Sequence, residues 1–268
     1  MNVLRRVLGT ATFMILLVAS TQAAMVGRDG SLDILVGGEL ILQAQRPDNC
    51  DPPEDYKETD AAELGVKFVS ENKDERTGFI VAGKNPTSLI RTLREINRRA
   101  VTDLEKGMRP GAKADVGSDR GFLGNDEALL TVLAADNAYV VDEVGLTHQE
   151  LARHLRVVAA IGLRRLTDAQ KTKKNLSTQP FTYHGRKFKI SLEFFRGDQL
   201  SPFRDGTKTA TDVTLTNVDS GKVLKYSLLV PDMIERYGFY EGTGTPYRVA
   251  PRDILAVLDF LKLNNKAR

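Results

Sequence analysis

Lys187-Phe188-Lys189-Ile190-Ser191-Leu192-Glu193-Phe194 alternates polar and apolar residues without a break, which puts Phe188, Ile190, Leu192 and Phe194 on one face of an extended chain. The spacing predicts a half-buried strand. Two hairpins are read outward from it. Phe181–Tyr183 pairs with Lys187–Phe195 around His184-Gly185-Arg186, and Thr211–Val218 pairs with Val223–Val230 through Asp219-Ser220-Gly221-Lys222, where Gly221 can take the positive φ of a tight turn. Between the hairpins, Gly197–Asp212 reads as a long polar excursion. A short helix from Pro231 to Gly238 and a closing helix from Pro251, with Ile254, Val257, Leu258 and Leu261 on one side, complete the block. Twelve of the eighteen Phe and Tyr residues lie between Phe181 and Phe260, so the rings able to close a core are concentrated there.

Upstream, Ser31–Gln45 holds two apolar runs split by Gly37-Gly38, the pattern of a hairpin or bent strand. Arg46–Asp55 contains three prolines and four acids and reads as an exposed loop. Val66–Val69 and Thr77–Val81 read as a further strand pair. Helical spacing begins at Asn85 and carries Leu89, Leu93, Ile96, Ala100 and Leu104 to Gly107, which predicts one continuous helix. After a Gly/Pro-rich linker over Met108–Gly124, a helix over Asp126–Val144 reads as buried on most sides. Thr147-His148-Gln149-Glu150 then forms a capping box, opening a third helix with Leu151, Leu155, Val158 and Gly162 in one stripe and arginines on its other faces. The expected fold is α+β: a signal peptide over 1–23, a β-rich segment over 24–84, a helical region over 85–176 and a C-terminal domain over 177–268, its antiparallel sheet closed by a helix.

Arg5-Arg6, the apolar run Val7–Ala19 and Thr21-Gln22-Ala23 fit a secretory signal cleaved near Ala23, and the run falls short of the ~20 residues of a spanning helix. The expected address is the periplasm, with the extracellular space as the alternative. Loss of Arg5 and Arg6 from 38 basic residues leaves 36 against 35 acids, a balance that argues against nucleic acid as a partner. Cys50 is the single cysteine, so no internal disulfide is available.

Chemistry-bearing motifs are sparse. In His148-x-Glu150-x-x-x-His154 only Glu150 and His154 share a helix face, so the expectation is a cap plus a surface histidine, with no metal. Gly242-x-Gly244 lacks the strand-before, helix-after setting of a dinucleotide loop, and Asp198, Asp205 and Asp212 lack calcium-loop spacing. No cofactor is expected. The candidate partner-binding surface is the glycine-aromatic loop with Tyr237, Phe239, Tyr240 and Tyr247, joined by Phe203 and Phe195, because rings offer large contact area at low entropic cost. These readings favour a non-enzymatic envelope protein that binds a protein partner or belongs to a periplasmic assembly. The alternative is a hydrolase of envelope polymers using loop acids such as Asp198, Asp205 and Glu241. A pair of facing carboxylates in one deep cleft separates the alternative from the first reading.

Overall fold

The computed structural model describes residues 25–26, 32–36, 39–44, 55–66, 86–112, 120–165 and 175–265. The expected signal peptide, Cys50, the expected strand Thr77–Val81 and the Lys171–Lys174 run lie outside the described residues. Helices and antiparallel sheets make an α+β fold. Strands β1 (Met25–Val26), β2 (Leu32–Val36) and β3 (Glu39–Ala44) form an antiparallel sheet, its β2–β3 pair falling within the expected hairpin over Ser31–Gln45.

The predicted helix over 85–107 is broken. Helix α1 (Thr87–Ile90) is followed by a two-stranded hairpin of β4 (Glu95–Ile96) and β5 (Arg99–Ala100), and only then by α2 (Val101–Met108). Asn97 and Arg98 occupy the turn at φ 52° and 59°, the left-handed pair that a two-residue hairpin requires. The Asn97 amide donates to the Phe203 carbonyl at 3.1 Å, so a tertiary bond supports the turn. Apolar residues at helical spacing still face inward: Ile96, Leu104 and Met108 are buried.

Helix α3 (Leu129–Asn137) starts where the Leu129 N–H donates to Glu105 Oε1 at 2.7 Å, and it runs on into a wide turn over Ala138–Glu143. Six of its nine residues are buried, in line with the expectation of burial on most sides, and Thr131 and Ala135 are exposed. Helix α4 (His148–Arg164) is enclosed further, with thirteen of its seventeen residues buried. Its capping box forms as predicted: Thr147 Oγ1 accepts from the Glu150 N–H at 3.0 Å, and the Thr147 N–H donates to Glu150 Oε2 at 2.7 Å.

In the C-terminal sheet the strand order is β10 (Val223–Ser227), β9 (Lys208–Asn217), β8 (Arg186–Leu200) and β6 (Asn175–Ser177), with β7 (Phe181–Tyr183) also paired to β8. Register sets Ile190 opposite Leu215 and Leu192 opposite Val213, all four buried, so the alternation that predicts the strand also predicts the face it buries. Helix α4 crosses this face at Gly162, where a Cβ would stand 2.7 Å from Ile190 Cδ1. The polar excursion expected over 197–212 is mostly strand, because β8 continues to Leu200 and β9 starts at Lys208. Pairing slips between Phe194 and Gln199, leaving a bulge at Phe195–Asp198. Helices α5 (Leu229–Tyr237), α6 (Pro251–Val257) and α7 (Phe260–Asn265) close the block, and α5 packs along α4. Pro231 sits in the first turn of α5, and Gly238 ends it at φ 64°.

Candidate functional site

The bulge of β8 opens a cleft of about 460 Å³. Its walls are Phe195–Gln199 from the bulge, Thr209–Asp212 from β9, Lys225–Ser227 from β10, Arg120, and Glu241 with Tyr247 from the loop after α5. Extra backbone in the bulge splays β8 from β9 and turns Phe195 outward, where it is 45% exposed. Tyr247 is 47% exposed on the loop wall.

That loop is fastened at several points. Arg248 pairs with Asp136 and also donates to the Glu241 carbonyl. Glu127 accepts from the Gly124 N–H at 2.7 Å, the Gly244 N–H at 3.2 Å and the Thr243 hydroxyl. Gly242 N–H donates to the Phe122 carbonyl at 2.8 Å. A Cβ on Gly242 would lie 2.0 Å from Glu127 Oε2, and one on Gly244 would lie 3.1 Å from Gly124 Cα. The glycines of this loop therefore permit close backbone approach to residues 121–127, a packing role distinct from phosphate cradling. Beneath the loop, Tyr240 Oη meets His148 Nδ1 at 2.8 Å and His148 Nε2 meets Asn137 Oδ1 at 3.2 Å. Burial pushes His148 down to about 4, so its ring is neutral.

The loop holds Glu241 in left-handed backbone, φ 67°, with its side chain buried against the cleft. Burial raises its carboxyl to about 8, with Asp212 adding to the rise, and with the Thr245 hydroxyl and Arg248 opposing it. Thr245 Oγ1 lies 3.2 Å from Glu241 Oε2 and 3.0 Å from the Gly242 carbonyl. One hydroxyl proton cannot serve both acceptors. A protonated Glu241 resolves the geometry by donating to Thr245, which donates onward to Gly242. Asp212 is raised by burial and by Glu193, against the hydrogen bond and charge of Lys225, whose Nζ lies 3.3 Å from Asp212 and 3.5 Å from Glu193. Asp198 pairs with Lys208 at 2.6 Å. The Ser227 hydroxyl is buried and has no hydrogen-bond partner among the described residues.

Of the five rings expected to face a partner, four lie in the core. Phe203 and Tyr237 stack with centroids 3.9 Å apart, Phe239 packs edge-on to Phe203 at 5.4 Å, and Tyr240 is fully enclosed. Only Tyr247 is on the surface, together with Phe195. Asp205 lies outside the cleft and accepts from the Tyr237 hydroxyl at 2.7 Å, whereas Asp198 and Glu241 both line it. His154 is a core residue, contrary to the expected surface histidine: its Nδ1 lies 2.8 Å from the Tyr183 hydroxyl, and its ring packs on Phe260. Among the described residues no group of three metal-ligating side chains comes together. Asp212, Lys225 and Ser227 were missed as site residues because a charged or hydroxyl residue on the outer positions of a strand has the pattern of ordinary solvated surface. A sequence signal was Thr209-x-Thr211, hydroxyls at inward positions of the strand that carries Val213 and Leu215 further along.

The chain matches no family model, and no significant similarity to a curated protein or a solved structure was found.

Proposed function

We propose that this chain is an exported cell-envelope protein that serves as a binding component, in the periplasm or outside the cell, and that it binds through the cleft around Glu241 and not through a patch of aromatic rings. The supporting observation is Glu241 itself: a buried carboxyl, kept protonated at neutral pH and held in left-handed backbone by a fastened loop. A buried carboxyl in strained backbone at the wall of a cleft is the kind of cost a binding site retains. Among the described residues no helix is long and apolar enough to cross a membrane. The test is pull-down from the cross-linked envelope fraction with wild-type protein and with Phe195→Ala/Tyr247→Ala. Wild type should recover one stoichiometric partner or polymer that the double variant loses. Equal recovery by both would remove the cleft as the binding site.

A second reading is favoured by one observation: Asp198, Asp212 and Glu241 share the cleft, the arrangement expected of a hydrolase of envelope polymers. There Glu241 would give its proton to the leaving oxygen, while Asp212 would take one from the water that attacks. Glu241→Gln should then abolish release of polymer fragments and leave binding intact. Absence of fragment release by wild type would dispose of this reading alone.

A further inference from the structure

Charge in the cleft is unevenly compensated. Asp198 is neutralised by Lys208, and Asp212 shares Lys225 with Glu193. Glu241 carries no charge at neutral pH while it holds its proton. Arg120 and Arg196 also line the cleft, both are exposed, and neither has an ion-pair or hydrogen-bond partner among the described residues. With one lysine between Asp212 and Glu193 the balance at the cleft is still positive, and its free cations among the described residues are two guanidiniums, groups whose forked donors match a carboxylate or phosphate. Phe195 and Tyr247, each nearly half exposed, line the same cleft.

We infer that the cleft binds an anionic saccharide, its acid group on Arg120 and Arg196 and the apolar face of a sugar ring on Tyr247 or Phe195. Each part of the site disfavours a simpler ligand. A bare anion has no use for the rings, and a neutral sugar or an alkyl chain has none for the two guanidiniums. The inference rests on the cleft being the binding site and names the class of ligand it takes.

Calorimetric titration of the mature protein with trigalacturonate, galactotriose and inorganic phosphate tests it. Trigalacturonate should bind at least about tenfold more tightly than galactotriose or phosphate. Arg120→Ala/Arg196→Ala should abolish the preference for the acid, and Tyr247→Ala should weaken both sugars. Equal affinity for acidic and neutral sugars overturns the inference, as does phosphate binding as tightly as the acidic sugar. So does no sugar binding at all, or a preference that survives loss of both arginines. Those outcomes leave the cleft itself open to the pull-down comparison, so failure of the ligand class and failure of the site are distinguishable.

Discussion

Burial separates two tyrosines that the sequence presents alike. Tyr240 and Tyr247 stand in the same glycine-rich loop, yet Tyr240 is enclosed and bonded to His148, while Tyr247 is 47% exposed. Tyr240→Ala should cost about 3–5 kcal/mol in denaturant unfolding through the cavity and the orphaned imidazole, and Tyr247→Ala should stay within about 0.5 kcal/mol of wild type. Glu241 makes a pH prediction whose sign follows from its shift. Its carboxyl is raised from 4.5 to about 8 on folding, so the folded state binds the extra proton between those values and its contribution to stability is lost as pH rises through that window. His148 acts oppositely: lowered from 6.5 to about 4, it costs stability as pH falls between those values. Thermal melts from pH 5 to 9 should show wild type losing stability on the alkaline side and Glu241→Gln following a flatter curve. Parallel curves would mean that Glu241 ionises normally. Gly242→Ala should destabilise by about 1–3 kcal/mol, because its Cβ would meet the Leu123 backbone at 2.9 Å and leave no rotamer to relieve the clash.

At the scale of elements, the strands were legible and the helices less so. Alternation at Phe188, Ile190 and Leu192 marks both β8 and its buried face, since period two admits no other element. The same residue type at helical spacing misleads over 85–107, because Ile96 and Leu104 stay inward whether the chain runs straight or doubles back at Asn97-Arg98. What decides it is local: a hydrogen bond to the Phe203 carbonyl, 106 residues away in the chain, that no periodicity carries. Helix α4 hides its centrality for a related reason. Arg156 reads as solvated, yet its side chain is 3% exposed and its guanidinium meets Asp232 at 3.0 Å and also pairs with Glu235, both on α5. Burying that arginine is tolerated only with both acids beside it. Arg156→Met should therefore cost about 3–5 kcal/mol in chemical denaturation by taking from Glu235 its arginine and leaving Asp232 with Arg236 alone at 3.1 Å. Replacing Arg156, Asp232 and Glu235 together by apolar residues should recover much of that loss. A single variant as stable as wild type would show that the acids find other compensation.

For the whole molecule, the site was less legible than the fold because it is assembled from five separate stretches whose members look ordinary in isolation. Arg120, the Phe195–Gln199 bulge, the start of β9, the end of β10 and the Glu241–Tyr247 loop meet only once the sheet has closed. Most rings of the expected aromatic docking loop fill the core, and what the loop brings to the cleft is the exposed Tyr247 and the buried Glu241. The central claim is that this cleft is where the protein meets its partner. A photoreactive phenylalanine analogue placed at Tyr247, with the same residue placed at Leu89 on α1, 47% exposed and outside the cleft lining, as control, tests that claim most directly in the envelope fraction. The account predicts an adduct from position 247 and none from position 89. Adducts of equal yield from both positions, or from 89 alone, would contradict it.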